Sequence, residues 1–330
     1  MPCFFPLQAR ILLEDGKKNI VFPKSDYLFH AWKAGIKFDN TLMLPCGRCL
    51  GCRLERSRQW AIRIMHEASL YEANSFLTLT FNNEYLNKMC LGGSLSKEHV
   101  PLFLKRLRRS IEPEKVRSFY CGEYGEKFSR PHYHVLLFGY DFPDKVLWKV
   151  QGGFSYYTSA ALSRLWPFGF VAIGGVDFDS AAYIARYCVK KVTGKDAVDH
   201  YAGRLPEFCN CSRRPGIATA WLEQFGESDV FAHDEVVVRG FKCKPPRFYD
   251  KFLERIDPVR FANVKALRAE RASLGLPVIP SSPSWRYITW VMFIAAPTQE
   301  DTKKISETVM SLSGVKEADV RDAETFPAGN

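Results

Sequence analysis

His132-Tyr-His-Val-Leu-Leu-Phe138 combines aromatic and branched side chains in the manner of a β-strand, and Val116-Arg-Ser-Phe-Tyr-Cys121 does the same a short distance upstream. The polar segment between them, residues 122–131, suits a hairpin connection. The sequence therefore predicts two antiparallel strands that are adjacent in one sheet.

Further elements are predicted on both sides of this hairpin. Alternating composition favours strands at Ser75-Phe-Leu-Thr-Leu-Thr-Phe81 and within Gly169–Phe178. Apolar residues at helical spacing predict a basic amphipathic helix over residues 52–72, a helix from a Ser96 N-cap through Arg109, and a helix from an Asp179-Ser180 cap to Lys191. Residues 1–52 hold few periodic elements and are predicted to form a loop-rich arm. The order strand, helix, strand, strand, strand, helix favours an α+β fold with a central antiparallel sheet and flanking helices.

Composition limits the function classes. The chain of 330 residues carries 46 Lys and Arg against 36 Asp and Glu, a formal net charge of +10, which favours association with polyanions. Its ten cysteines follow an N-terminus without the pattern of a secretion signal, so we expect reduced or metal-bound thiols in a reducing cytoplasm. The longest late apolar run, Tyr287–Pro297, is shorter than the roughly 20 residues of a membrane helix. No membrane span is predicted.

Two histidines in the hairpin form a candidate metal site. His132 and His134 lie two residues apart in a predicted strand, so both imidazoles project from the same face. Glu123 and Glu126 precede the turn, and the antiparallel partner strand brings a carboxylate beside the imidazoles, giving a three-ligand site with open positions. Glu123 is favoured because it lies nearer the strand end. The alternative is two histidines on a solvated strand face.

A candidate nucleophile site lies on the last predicted helix. Tyr183 and Tyr187 are four residues apart, as are Arg186 and Lys190, so two phenols and two cations each share a helix face. A phenol is a poor nucleophile near neutral pH because its pKa is about 10, and nearby cations with a metal ion favour its reaction with a phosphate. The alternative is two core tyrosines with solvated hydroxyls, which does not explain Arg186, Lys190 and Lys191 in the same turns.

A second metal site is predicted at Cys46, Cys49 and Cys52, a C-x₂-C-x₂-C run that suits structural Zn²⁺ with Cys3 as the weaker fourth ligand. An iron–sulfur cluster is the competing interpretation, disfavoured because nothing else in the sequence indicates redox chemistry. Cys209 and Cys211 are interpreted as ordinary thiols.

Basic residues in several segments are candidate DNA contacts, with a solvated surface as the alternative for each one. The candidates are Arg53, Arg56, Arg58, Arg63, Lys105, Arg106, Arg108, Arg109, Arg186, Lys191, Arg213 and Arg214. They do not reveal the DNA sequence or hairpin shape that is recognised.

Together, these segments resemble the HUH family of single-strand endonucleases, and within it the replication initiator proteins of small single-stranded DNA phages of the microvirus group. Phe76–Phe81 is similar to the first family motif, Arg130–Val135 to the metal-binding histidine motif, and Tyr183–Lys190 to the two-tyrosine motif. Pro45–Arg58 and Ser212–Gly216 are similar to the gokushovirus branch. The resemblance covers roughly residues 1–270.

The resemblance implies an RRM-like or ferredoxin-like core and a rolling-circle replication initiator. Family enzymes have a carboxylate ligand some nine residues before the first histidine, which corresponds to Glu123. The implied chemistry is attack by one tyrosine on the origin phosphate, leaving a 3′-hydroxyl for the host polymerase and a 5′-phosphotyrosine. The second tyrosine cleaves the regenerated origin, and the circle closes without ATP. Either Tyr183 or Tyr187 is compatible with the first step, with Lys190 assisting.

The resemblance also implies a working ion, Mg²⁺ or Mn²⁺, although this donor set binds Zn²⁺ more tightly. Implied partners are single-stranded origin DNA and the host helicase and polymerase, in the cytoplasm of a bacterial cell. The alternatives are a non-catalytic zinc-dependent DNA-binding protein, in which the tyrosines are packing residues, and a relaxase. Relaxases usually have the tyrosine ahead of the histidine motif, the reverse of the order here.

Four regions are predicted along the chain. They are a Cys-rich arm with the basic helix at 1–72, the endonuclease core at 73–195, a C-terminal extension at 196–275, and a linker with an atypical tail at 276–330. The tail departs from the family pattern. A fusion, a frame change and an added helix all remain open for it, and no chemistry is assigned to it.

Overall fold

The computed structural model of the chain describes residues 3–14, 17–22, 38–125, 127–190, 192 and 196–274. The chain divides into two compact units, Met1–Glu55 and Arg56–Asn330. None of the helices in these described ranges combines the length and apolar character needed to cross a membrane. The predicted linker and tail at 276–330 lie outside the described residues.

The first unit contains a small antiparallel sheet. Its strands are β1 (Leu7–Glu14), β2 (Lys17–Val21) and β3 (Phe38–Leu44). They pair in the order β2-β1-β3. The predicted loop-rich arm is wrong for these segments. Leu7, Ile20 and Met43 are exposed, so the apolar residues do not mark one buried face, and the alternation that identifies a half-buried strand is weak.

The second unit is built on a seven-stranded sheet. Its strands are β4 (Asn74–Leu79), β5 (Arg117–Tyr124), β6 (Pro131–Phe138), β7 (Val146–Gln151), β8 (Phe154–Thr158), β9 (Val171–Gly174) and β10 (Phe208–Cys211). They are hydrogen-bonded in the order β10-β5-β6-β4-β9-β8-β7, and these pairings are antiparallel. A separate ladder pairs β11 (Val236–Val238) with β12 (Phe241–Cys243).

Helices cover this sheet. Those in the described residues are α1 (Leu50–Ala68), α2 (Asn83–Met89), α3 (His99–Ser110), α4 (Ala160–Leu165), α5 (Phe178–Lys190), α6 (Asp196–Tyr201), α7 (Thr219–Gly226), α8 (Arg247–Ile256) and α9 (Pro258–Ser273). A 3₁₀ turn at Leu91–Gly93 and a π turn at Glu227–Phe231 add short helical segments. The predicted α+β fold, with a central antiparallel sheet and flanking helices, is confirmed.

Strand alternation gives the sheet two different faces. On one face Tyr133 of β6 enters the larger core, which α3 closes with side chains such as Phe103. On the other face Leu136 of β6 packs with Ile64 of α1 and Ile184 of α5. The odd-numbered residues of β5 and the even-numbered residues of β6 therefore lie on the face covered by α1 and α5.

The C-terminal region packs against the outer side of α1. Ile62 of α1 lies in one apolar cluster with Trp221 of α7, Tyr249 of α8 and Phe261 of α9. From the same region, β10 pairs along β5, with Phe208 opposite Gly122. Part of the segment predicted as a C-terminal extension, residues 196–275, therefore belongs to the central sheet.

Several local predictions are corrected. α3 begins at His99, and Ser96 accepts a hydrogen bond from the Glu98 N–H instead of capping the helix. The strand predicted within Gly169–Phe178 is limited to β9. The β7–β8 hairpin and α4 were not predicted, because β7 is mostly exposed and α4 spans only six residues, too few for a helical period to stand out.

A buried ion pair joins α1 to the sheet, and we expect its removal to lower the stability of the protein strongly. Glu67, 1 % exposed, binds Arg117 Nε and accepts the Ala218 N–H at 2.6 Å. Glu67→Ala removes the carboxylate from both donors, and breaking a buried pair from one side costs about 3 kcal/mol. We expect the free energy of unfolding, measured by urea denaturation, to fall by that amount. Glu72→Ala, at an exposed carboxylate, is the control, and equal losses in both variants would contradict the prediction.

Candidate active site

Three side chains that the sequence analysis selected meet on one face of the sheet. The β5–β6 register places Glu123 opposite His132 and Cys121 opposite His134. Glu123 Oε1 lies 2.6 Å from His132 Nε2 and 3.2 Å from His134 Nε2. One potential ligand atom from each of the three residues lies within 4.8 Å of the others. Strand alternation and the antiparallel register are sufficient to bring them together.

Neighbouring groups orient the two imidazoles. The Arg130 carbonyl can only accept a hydrogen bond, so His132 Nδ1, 3.1 Å away, carries the proton. In the neutral ring, Nε2 then presents a lone pair to a Glu123 oxygen that is also an acceptor. A close pair of acceptors needs a proton or a metal ion between them. His134 Nδ1 lies 3.2 Å from the Thr78 hydroxyl. Such second contacts are typical of metal-binding histidines.

Glu123 is ionised despite its burial. Burial raises the pKa of this carboxyl, but when the imidazoles carry a proton on Nε2 the hydrogen bonds from His132 and His134, together with their charge, outweigh that effect and lower the pKa to about 2. Two imidazole nitrogens and one carboxylate oxygen form a donor set that suits a divalent metal ion, and three protein ligands leave coordination positions for other oxygens. The residues present therefore fit a metal ion.

Glu126, the alternative carboxylate, lies outside the described residues. The geometry around Glu123 agrees with the preference for it, and its role as a ligand is a proposal below.

Tyr183 lies beside this cluster. Its ring centroid is 5.4 Å from that of His134 and 6.2 Å from that of Phe76, both in edge-on contacts. The side chain is 37 % exposed, whereas its neighbours Ala182 and Ile184 are buried. The Tyr183 ring thus lies at the solvent-accessible rim of the cluster, a position that suits a nucleophile and also a packed tyrosine with a solvated hydroxyl.

The start of α5 explains how Tyr183 reaches that position. The Asp177 carboxylate accepts the Ser180 N–H at 2.7 Å, and the Ser180 hydroxyl accepts the Asp177 N–H at 2.9 Å. This reciprocal capping replaces the predicted Asp179-Ser180 cap. It fixes the beginning of the helix one and a half turns before Tyr183.

The remaining predicted residues of α5 are described only by their backbone. Tyr187 lies one helical turn after Tyr183 in the same helix. The side chains of Arg186, Tyr187 and Lys190 lie outside the described part of the structure, as does the whole of Lys191. Their predicted roles stay predictions.

The predicted cysteine cluster assembles in the first unit. Cys3, Cys46, Cys49 and Cys52 place their sulfur atoms within 4.8 Å of one another. The Cys46 N–H donates to Cys3 Sγ at 3.2 Å, and the Cys49 N–H donates to Cys46 Sγ at 3.2 Å. Cys3, which lies 43 residues before Cys46, thus belongs to the same cluster as the C-x₂-C-x₂-C run. Cys209 and Cys211 instead pack beside the apolar face under α1 and α5.

The candidate DNA contacts divide by exposure. Arg56, Arg213 and Arg214 are exposed, and Arg53 is half-buried. The prediction for Arg58 is corrected, because its side chain is 7 % exposed and donates to the Lys244 carbonyl at 2.8 Å.

A second group of candidates lies on α3, on the sheet face opposite the histidines. These residues are Lys105, Arg106, Arg108 and Arg109.

Sequence reasoning missed two kinds of residue at this site. Thr78 lies in the segment similar to the first family motif, and strand alternation alone indicates that it faces the same side as Phe76. Arg247 and Lys251, four residues apart on one face of α8, lie in a separate cleft beside α1, and only the fold shows that they lie near that helix.

Comparisons with known proteins identify the class. Residues 74–192 match the family described as replication-associated protein ORF2/G2P. The chain is 33 % identical over 242 residues to replication-associated protein VP4 of Bdellovibrio phage phiMH2K, covering 70 % of this chain and 75 % of that protein. It is 32 % identical over 268 residues to replication-associated protein ORF2 of Spiroplasma virus 4, covering 77 % and 81 %. Replication-associated protein ORF4 of Chlamydia phage 1 is 30 % identical over 224 residues, covering 64 % and 54 %. No solved structure matches the chain.

The α+β sheet with its Glu-His-His cluster thus occurs in a phage replication protein. The chain belongs to the family of microvirus-like replication-associated proteins. Its role is in phage replication, with DNA as the partner that this role implies.

Proposed function

We propose that the protein initiates rolling-circle replication as a metal-dependent single-strand endonuclease that nicks the origin and later rejoins the strand. One observation carries this proposal: a partly exposed tyrosine ring, Tyr183, lies 5.4 Å from the ring of His134 in the Glu-His-His cluster. Transfer of a phosphate to a phenol requires a tyrosine hydroxyl close to a bound metal ion, and this arrangement of side chains would provide both.

Each group has a definite task in the proposed reaction. Glu123, His132 and His134 hold the ion, which when bound polarises the scissile phosphate. The phenol of Tyr183 or Tyr187 loses its proton as its oxygen bonds to phosphorus. The bond between phosphorus and the 3′-oxygen breaks, and that oxygen takes up a proton. The product is a free 3′-hydroxyl and a 5′-phosphotyrosine, with Lys190 and Arg186 near the developing negative charge.

Two tyrosines one helical turn apart allow the reaction to run twice. The second phenol cleaves the regenerated origin, and the released 3′-hydroxyl attacks the first phosphotyrosine to close a circle. Each step exchanges one phosphate ester for another, so no nucleotide hydrolysis is needed. Mg²⁺ or Mn²⁺ is the proposed working ion, because phosphate oxygens and carboxylates are preferred ligands of these ions.

A direct assay tests the proposed activity. The purified chain is incubated with a labelled single-stranded oligonucleotide that spans the cognate origin, with Mn²⁺ or with EDTA, and the products are resolved on a denaturing gel. We expect a covalent protein–DNA adduct and a shortened strand only in the presence of Mn²⁺. DNA binding without any adduct would favour the alternative, a non-catalytic zinc-dependent DNA-binding protein.

We also propose that the four-cysteine cluster holds a structural Zn²⁺ ion. Four sulfur atoms within 4.8 Å match the donor number of a closed tetrahedral site, and N–H groups directed at sulfur stabilise thiolates. The variant Cys49→Ser is expected to lose the metal, and Cys209→Ser is the matched control at a cysteine outside the cluster.

Metal analysis with Co²⁺ substitution separates this site from the histidine site. We expect thiolate-to-cobalt charge-transfer absorption in the wild type and in Cys209→Ser, and its loss in Cys49→Ser. Iron with inorganic sulfide in the purified chain would instead establish the competing iron–sulfur interpretation.

The proposed reaction defines the partners and the place of action. The free 3′-hydroxyl is the primer that a host DNA polymerase extends, and a host helicase separates the strands ahead of it. We therefore propose the cytoplasm of the infected bacterial cell as the location.

A further inference from the structure

A basic and aromatic cleft of about 390 Å³ lies between α1 and α8. Its main lining residues are Arg56, Trp60, Arg63, Arg247, Phe248 and Lys251. Four of them are cations and two are aromatic, and among the described residues that line it there is no carboxylate. Arg56, Arg247 and Lys251 are exposed, so the rim of the cleft is positively charged.

The floor of the cleft is formed by side chains that contact one another. The guanidinium of Arg63 lies 4.1 Å from the ring centre of Trp60 and 3.9 Å from that of Phe248. It also donates to the Ile217 carbonyl at 3.1 Å. One cation thus contacts both rings, so these three side chains hold one another in place and lose little entropy when a ligand binds.

A hydrogen bond joins the two helices that form the walls of the cleft, α1 and α8. The Gln59 side-chain oxygen of α1 accepts the N–H of Arg247, the first residue of α8, at 3.1 Å. The side chains of Arg247 and Lys251, four residues apart, project from the same side of α8.

The cleft has a defined place relative to the Glu-His-His cluster. Trp60 packs on Phe119 of β5, with ring centroids 5.0 Å apart. Phe119 and Glu123 lie on the same strand and the same sheet face, four residues apart, which corresponds to about 13 Å. A few nucleotides of an extended single strand can cover that distance.

We propose that this cleft binds the single-stranded DNA next to the nick site, with a base against Trp60 and Phe248 and flanking phosphates on Arg56, Arg247 and Lys251. The inference rests on the proposed function, because it names where the substrate of that reaction is held. Aromatic rings beside cations are the usual chemistry of single-strand binding, since every base has a π face and every linkage a charge. In duplex DNA the base faces are stacked on one another, so duplex binding depends on the phosphates and not on contacts with Trp60 and Phe248.

Equilibrium binding without catalysis tests the proposal. A fluorescent single-stranded oligonucleotide spanning the origin is titrated in EDTA with the wild type, with Arg247→Ala/Lys251→Ala, and with Phe248→Leu. The matched control is Lys97→Ala/Lys115→Ala, which removes the same charge from exposed residues that do not line the cleft and are not among the candidate DNA contacts. Thermal unfolding verifies that each variant is folded.

We expect the Arg247→Ala/Lys251→Ala variant to bind about tenfold more weakly, and its salt dependence to be shallower by about 1.4 on a log–log plot, the value for two lost phosphate contacts. Phe248→Leu is expected to weaken single-strand binding about tenfold but to leave duplex binding unchanged. Control-like affinity in both cleft variants would overturn the proposal. Equal loss of single-strand and duplex binding in Phe248→Leu would overturn it too.

A cross-linking experiment gives a second readout that does not depend on stability. Photoreactive 5-iododeoxyuridine is placed at successive positions near the nick, and cross-linked peptides are identified by mass spectrometry. We expect attachment within residues 56–63 or 247–251, and attachment only elsewhere would contradict the cleft. An intact adduct reaction with no cleft contact would refute this inference alone. Cleft binding with no adduct would refute the proposed function alone.

Discussion

The double variant Tyr183→Phe/Tyr187→Phe is expected to form no covalent adduct with origin DNA, a loss of about 10⁴-fold or more in nicking rate, while its affinity for single-stranded DNA changes by less than about twofold. Phenylalanine retains the ring and removes only the oxygen that forms the bond to phosphorus. The Tyr183 ring contacts with Phe76 and His134 are edge-on packing contacts that phenylalanine preserves. The measurement is the Mn²⁺-dependent adduct on a denaturing gel, with binding measured in EDTA.

The single variants assign the order of attack. If either phenol is able to start the reaction, each single variant still forms an adduct, and only circle closure is lost. Tyr140→Phe is the matched control, because Tyr140 is half-buried and packs on Phe142, away from the cluster. Adduct formation by the double variant at the wild-type rate would place the nucleophile elsewhere and refute the proposed roles of both tyrosines.

The histidine site was predictable because its determinants are local. Alternation within a strand places His132 and His134 on one face, and a short hairpin connection between Tyr124 and Pro131 brings the partner strand back beside them. Glu123 follows from the same geometry. Tyr183 was predictable as a candidate, but its contact with His134 depends on how α5 crosses the sheet, which helical spacing does not specify.

Contacts between residues far apart in the sequence explain which features of the fold could not be predicted. β10 reaches the edge of the sheet from more than 80 residues after β5, and its four-residue span carries little alternation. The helical pattern predicts that Arg58 lies on the surface, but its guanidinium donates a hydrogen bond to the Lys244 carbonyl, 186 residues away in the sequence. The basic cleft is likewise hidden, since Arg247 meets Gln59 across 188 residues. In each case the decisive contact joins segments that no local period connects.

The second large effect is expected at the proposed ion site, the Glu-His-His cluster. His134→Ala should lower Mn²⁺ affinity by at least about 100-fold and nicking by at least about 100-fold, while single-strand binding in EDTA is retained. His134 is 5 % exposed and contacts both Glu123 and the Tyr183 ring, so its loss removes both a proposed ligand and the contact with the tyrosine. Mn²⁺ affinity is measured by electron paramagnetic resonance of the free ion, and nicking by the adduct assay.

Two comparisons separate loss of the ion from loss of structure. Glu123→Gln retains the shape of the side chain and removes its charge, so the same losses are expected from it if the cluster binds a cation. His200→Ala removes an exposed imidazole outside the cluster and should leave both quantities unchanged. Nicking that rises again at high Mn²⁺ concentration in Glu123→Gln would indicate a weakened ion site, because a misfolded chain does not recover with added ion. Wild-type Mn²⁺ affinity in both cluster variants would contradict the proposal that Glu123, His132 and His134 are ligands.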